Sequence, residues 1–171
     1  MQDIRKAIRD IPDFPKPGII FKDITPILKS HPLFRKTISI LVDRYKDKAI
    51  DAVAAIESRG FIFGSTLALE LGVPFIPVRK KGKLPYKTVS ATYELEYGTD
   101  SVEMHEDALN PGDNVLIFDD LAATGGTAKA TAELVEKVGA KVAEMAFVIE
   151  LTFLNPRDKL SGYDVFSIVQ F

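Results

Sequence analysis

The 171-residue chain has no cysteine, which excludes a disulfide framework, a thiolate metal centre and a cysteine nucleophile. It has no tryptophan and two histidines, His31 and His105, too few to anchor a metal site by themselves. It has no excess of positive charge: 22 Lys and Arg stand against 24 Asp and Glu, a formal net charge of -2. Nucleic acid and anionic membrane surfaces are therefore not expected partners. A long apolar run is missing too, because Glu70 and several Gly and Pro residues interrupt the stretch from Phe61 to Val78. The opening Met1-Gln-Asp-Ile-Arg-Lys is charged and amphipathic rather than signal-like, so a soluble cytoplasmic protein is expected.

The charge that is present is segregated. Arg79 to Lys87 holds five basic residues and no acid, whereas residues 88 to 128 hold nine acids and no Lys or Arg. Such blocks suit a site that handles anions and cations together, with an ordinary solvated face as the alternative. Short Val- and Ile-rich runs alternate with segments of helical period. Ala52 to Ile56 is followed by a helix over 61–71, Phe75 to Val78 comes next, and Val115 to Phe118 precedes a helix over 128–138; Val142 to Ile149 and Val165 to Val169 complete the series. The pattern is α/β, with a mostly parallel central sheet flanked by helices. Gly72 and Gly139 stand where left-handed helix caps are wanted. From Thr88 to Met104 the period changes to two, with Val89, Ala91, Tyr93, Leu95 and Tyr97 on one face and a turn at Gly98-Thr-Asp, which predicts a projecting hairpin. Pro12, Pro15 and Pro17 mark an early irregular segment, and with no repeat or linker the whole chain, 1–171, reads as one domain.

The most informative stretch is Val115-Leu-Ile-Phe-Asp-Asp-Leu-Ala-Ala-Thr-Gly-Gly-Thr127, a hydrophobic strand ending in two carboxylates, a loop of small residues and a helix. Backbone N–H groups and hydroxyls of Ala123, Thr124, Gly125, Gly126 and Thr127 suit one phosphate at a helix N-terminus. Asp119 and Asp120 would repel that phosphate and instead suit donors such as the ribose hydroxyls. Together they read as a ribose 5-phosphate site. The stretch is neither a Walker A loop nor a dinucleotide fingerprint. A second junction, Ile56-Glu-Ser-Arg-Gly-Phe61, adds the fork of Arg59 to a helix start where an anion would sit well, and the cluster Arg79, Lys80, Lys81 and Lys83 adds further positive charge. An exposed lysine-rich loop is the plainer reading of that cluster.

On these motifs the chain resembles the type I phosphoribosyltransferases, from Phe14 to Leu160. The resemblance implies a substrate, 5-phosphoribosyl-1-pyrophosphate, whose ribose phosphate is held by Asp119, Asp120 and Ala123 to Thr127. It implies that Glu57, Ser58, Arg59 and Gly60 hold the diphosphate with Arg79, Lys80 and Lys83. It also implies that residues 80–107 form a mobile loop closing over the site, in which Leu95-Glu-Tyr-Gly98 matches a family motif. Glu96 is then the candidate to exchange a proton with a purine and Tyr97 to contact the anomeric centre or the diphosphate, with Arg59 as the third catalytic candidate. Residues 1–30, with Phe14-Pro-Lys-Pro-Gly-Ile-Ile-Phe-Lys-Asp, become a hood in which Phe21 and Leu121 sandwich the base and the backbone of Ile20 and Lys22 reads its edge. Ala123 stands where members acting on 6-oxopurines carry Asp, which favours adenine as acceptor and AMP and pyrophosphate as products. Another purine base, or a regulator that senses the sugar diphosphate without turnover, are the alternatives. Mg²⁺ is expected, carried mainly by the substrate with no direct protein ligand and with Asp119 or Asp120 contacting it through water. The family also implies a homodimer. The chain departs from the family pattern at Phe118, Ala122 and Asn155-Pro156, none of which removes a group with a chemical role.

Overall fold

The computed structural model describes residues 1–94 and 98–171. Helix α1 (Gln2–Ala7) leads into two short antiparallel strands, β1 (Arg9–Pro12) and β2 (Ile20–Asp23), and then helices α2 (Thr25–Lys29) and α3 (His31–Tyr45). Strand β3 (Ala52–Ile56), helix α4 (Arg59–Leu71) and strand β4 (Phe75–Lys80) follow, then the hairpin strands β5 (Thr88–Glu94) and β6 (Thr99–His105). Strand β7 (Asn114–Ala122), helix α5 (Gly126–Lys137) and strand β8 (Lys141–Glu150) come next. A 3-10 turn at Thr152–Leu154, helix α6 (Pro156–Lys159) and strand β9 (Val165–Gln170) complete the order.

One seven-stranded sheet runs β5-β6-β4-β3-β7-β8-β9. Strands β4, β3, β7, β8 and β9 are mutually parallel, and the hairpin adds β6 and β5 antiparallel at one edge. The sequence dictates this placement. Every residue of β3, Ala52-Val-Ala-Ala-Ile56, is buried, and a strand apolar on both faces needs helices on both. Val53, Ala55, Leu116 and Phe118 pack with Phe63 and Leu67 of α4 and Ile38 and Leu41 of α3, whereas Ala54, Ile56, Val115 and Ile117 pack with α5 and with Val102 and Met104 of the hairpin. On α3 the buried Thr37, Ile38, Leu41 and Tyr45 recur at helical spacing, and Ser30 caps the first turn by accepting from the Leu33 N–H at 3.5 Å.

The period-two segment forms a hairpin, but rather than projecting it joins the sheet edge because β6 pairs with β4, and Thr99 and Asp100, expected in its turn, are strand residues of β6 opposite Glu94 and Tyr93. The α/β class, the parallel core and the left-handed Gly72 and Gly139 agree with expectation. Four boundaries do not. Strand β7 continues four residues beyond Phe118, so Asp119 and Asp120 lie within the ladder with β8 rather than after it. Strand β4 runs on to Lys80 because β6 pairs with it, Arg79 opposite Glu103 and Lys80 opposite Val102, so these two cations are strand residues. Helix α4 starts at Arg59, which puts Arg59 and Gly60 in its first turn, and α5 starts at Gly126. The proline-marked segment is partly regular: β1 and β2 pair over four residues each, a length too short to show a period in the sequence.

Candidate active site

The chain leaves β3 through α4 toward β4 on one side, and leaves β7 through α5 toward β8 on the other. Connections that diverge between adjacent parallel strands open a crevice at their C-terminal ends, where open α/β sheets bind ligands. Both motifs lie at that crevice. A cleft of about 80 Å³ is lined by Asp119, Leu121, Ala123, Thr124, Gly125, Gly126, Thr127 and Phe147. Gly125 has φ 82° and precedes α5, whose first-turn N–H groups have no partner inside the helix and whose dipole favours an anion. Tyr93 and Glu94 of the hairpin lie against Gly126, so β5 borders the same loop.

Gly60 brings the second motif against the first. A Cβ there would meet Asp119 Oδ1 at 2.8 Å and the Asp119 Cα at 3.2 Å, a clearance only glycine allows. Asp119 faces the cleft and accepts from the Asp120 N–H at 2.8 Å. Burial, followed by the charge of Asp120, holds the Asp119 carboxyl well above the ordinary range. Burial raises Asp120 as well, and Arg59 opposes this through an ion pair at 2.8 Å. Asp120 therefore faces Arg59, and Asp119 is the carboxylate presented to a ligand.

Arg59 reaches three ways. Besides Asp120, it donates Nη1–H to the Lys22 carbonyl at 3.2 Å and lies 4.7 Å over the Phe21 ring. Its guanidinium thus joins β2 to the end of β7. Phe21 also receives Phe14 edge-on at 5.2 Å, Ile20 is exposed, and Leu121 is half-buried at the cleft. The Lys22 side chain points elsewhere: it is buried, paired with Asp10 at 2.7 Å and set 4.0 Å over the Phe171 ring.

The basic cluster is organised by an acid. Glu57 accepts from Arg79 Nη2 at 3.0 Å, from Lys83 Nζ at 2.8 Å and from the Lys80 N–H at 3.2 Å. Burial pushes its carboxyl up, but the hydrogen bonds from Arg79 and Lys83 outweigh this and bring it down to about 2. An ionised carboxylate repels anions, so Glu57 acts on the cations around it, Arg79 and Lys83. The Lys80 ammonium is engaged by Asp100, which also accepts from Tyr93 Oη–H at 3.2 Å; Lys80 thus braces the hairpin. Glu96 and Tyr97 lie outside the described residues.

Sequence reasoning did not single out Phe14, Asp100 or Phe147. Phe14 stands in the motif that contains Phe21 and so had a signal; Asp100 was read as part of the turn, and only the observed hairpin register sets it opposite Tyr93. Phe147 had none, because its approach to the cleft depends on the β7–β8 register. A larger cavity of about 340 Å³ lies between α3 and α4, lined by His31, Phe34, Arg35 and Glu70 among others, and holds none of the motif residues.

A model of the phosphoribosyl transferase domain matches residues 23–169 of the chain. An adenine phosphoribosyltransferase of Kosmotoga olearia is 57% identical over 169 residues, 99% of each chain. The chain belongs to the adenine phosphoribosyltransferase family. A crystal structure of the family's member from Thermoanaerobacter pseudethanolicus superposes with a TM-score of 0.97 at 54% identity, covering 99% of each chain. The Saccharomyces cerevisiae member, solved with adenine and an imino-altritol bisphosphate, superposes with a TM-score of 0.93 at 46% identity, covering 98% of this chain and 97% of its own. The family's fold is the one described above.

Proposed function

We propose that the protein transfers the phosphoribosyl group of 5-phosphoribosyl-1-pyrophosphate to adenine, forming AMP and pyrophosphate. The observation that carries this reading is the joining of two motifs at one crevice: the Ala123 to Thr127 loop with Asp119 on one side, and Arg59 in contact with Phe21 and Asp120 on the other. The loop binds the 5′-phosphate and Asp119 accepts from ribose hydroxyls. Arg79 and Lys83 stabilise the departing diphosphate. The base enters between Phe21 and Leu121, with backbone groups of Ile20 and Lys22 at its edge, and Ala123 offers no carboxylate to a 6-oxopurine.

In the reaction, N9 of adenine bonds to the anomeric carbon as the bond to the diphosphate oxygen breaks, and the N9 proton leaves. Glu96 takes that proton, Tyr97 contacts the anomeric centre or the diphosphate, and residues 80–107 close over the site from the β5–β6 side. Residues 1–30 serve as the hood. General acid-base help of this kind contributes about 10²–10⁴-fold, and positioning and electrostatics contribute the larger part.

Mg²⁺ fits the donors present. Among the described residues no three His, Cys, Asp or Glu side chains gather into a cage, and Asp119 offers a hard oxygen in the cleft, which suits an ion carried mainly by diphosphate and water. Asp119 or Asp120 would contact it through water, and its charge would offset that of the leaving group. The enzyme works as a homodimer through the exposed apolar residues of α4, Ile62 and Leu69, beside the α3–α4 cavity. No helix among the described residues is long and apolar enough to cross a membrane. We place the enzyme in the cytoplasm, where its charged substrates are held. The test is product analysis after incubation with adenine and the sugar diphosphate, with and without Mg²⁺: AMP and pyrophosphate are expected in equal amounts, and ribose phosphate without AMP overturns the reading.

A further inference from the structure

The phosphate loop rests on a second layer of structure. Gly125 is buried, and a Cβ on it would meet the Pro156 carbonyl oxygen at 2.9 Å and Leu160 Cγ at 3.1 Å, so the segment 156–160 lies directly beneath the loop. That segment has little stability of its own. Helix α6 is four residues long and starts from Asn155 in a left-handed conformation, φ 49°, and one turn of helix does not persist unaided. Leu160 is fully buried with Ala122 and Ala128, on either side of the loop, which fixes one end.

The other end is fixed by charge. Arg157 donates Nε–H to Glu150 Oε1 at 2.7 Å and Nη2–H to Oε2 at 2.9 Å, a bidentate fork on a carboxylate that is 2% exposed. Glu150 is the last residue of β8, and Ser167 Oγ–H and Gln170 Nε2–H also donate to it, at 2.7 and 3.2 Å. The next residue, Leu151, donates its N–H to the carbonyl of Ala122, the last residue of β7. A rigid sheet corner thus holds Glu150, Glu150 holds Arg157, and Arg157 holds the short helix on which Gly125 sits.

We infer that Arg157 is a positioning residue for the 5′-phosphate loop, acting through Glu150 and α6 and touching no substrate. The inference rests on the proposed role of the Ala123 to Thr127 loop. Its signature is selectivity: losing the fork lets α6 and Gly125 shift, which weakens recognition of the sugar phosphate and leaves the distant Arg79–Lys83 diphosphate region intact.

The experiment measures inhibition by ribose 5-phosphate and by pyrophosphate separately in the wild type, Arg157→Ala, Arg157→Lys and Thr127→Ala, with thermal midpoints alongside. For Arg157→Ala the ribose 5-phosphate inhibition constant is expected to rise at least about tenfold while that of pyrophosphate stays unchanged. Arg157→Lys, which restores charge but only one arm of the fork, should fall between, and tests the inference even where Arg157→Ala does not fold. Equal weakening of both inhibitors, or a lowered midpoint with ribose 5-phosphate unaffected, overturns it. Thr127→Ala separates the two layers: if it weakens ribose 5-phosphate and Arg157→Ala does not, the inference fails and the loop assignment stands. If neither variant has an effect, both fail.

Discussion

Arg59 and Asp120 form an ion pair at 2.8 Å across the crevice between β3 and β7, with Asp120 almost fully buried. The same guanidinium contacts Phe21 and the Lys22 carbonyl, so one side chain ties β2 to the central sheet. Arg59→Met removes the cation and leaves a buried carboxylate unpaired. Breaking a buried pair from one side costs about 3–5 kcal/mol, so the thermal midpoint should fall. KM for adenine should rise as well, since Phe21 loses its support. A variant with normal stability and a normal KM for adenine contradicts this role.

Gly60→Ala tests the contact between the two motifs. The added Cβ would stand 2.8 Å from Asp119 Oδ1 and 3.2 Å from its Cα, too close for either atom to remain in place. The expected result is a fall in kcat/KM for the sugar diphosphate of about a hundredfold, read by steady-state kinetics. Gly72→Ala, a cap position with nothing within 4 Å, serves as a control that loses stability without that kinetic loss.

Glu57 gives a pH signature. Its folded-state carboxyl lies at about 2, below the value of 4.5 for an unperturbed glutamate. A depressed folded pKa contributes stability that is fully present above the unfolded value and is lost as pH falls through the folded one. The wild type should therefore exceed Glu57→Gln in thermal midpoint at pH 6 to 7, and the difference should shrink between about pH 4.5 and pH 2. A difference independent of pH would assign Glu57 a packing role instead.

Glu96→Gln is expected to lower kcat by about 10²–10⁴-fold while binding of the sugar diphosphate changes little. Unchanged turnover would remove Glu96 from the mechanism.

The parallel core was legible in the sequence because each of its strands is a short Val- and Ile-rich run, and the hairpin because its period is two. Strand ends were not. Asp119 and Asp120 interrupt the apolar run of β7, yet the ladder with β8 carries the strand through them, and Arg79 and Lys80 become strand residues only because β6 lies alongside. The strand-to-helix turn from Ala123 to Thr127 could be read because its pattern of small residues is local. The partners of Arg59, Glu57 and Arg157 could not, since each ion pair joins residues brought together by strand order: Arg59 with Asp120, Glu57 with Arg79 and Lys83, Arg157 with a carboxylate at the end of β8. The near-neutral total charge hid the same arrangement, because Arg79 and Lys83 are offset in part by Glu57 beside them.

The most direct test is pyrophosphate release from 5-phosphoribosyl-1-pyrophosphate with Mg²⁺ and a panel of bases: adenine, hypoxanthine, guanine and xanthine. Rapid release with adenine, matched by AMP and sharply reduced by chelating the metal, is the predicted result. Release with hypoxanthine and none with adenine, or binding of the sugar diphosphate with no release for any base, would contradict it.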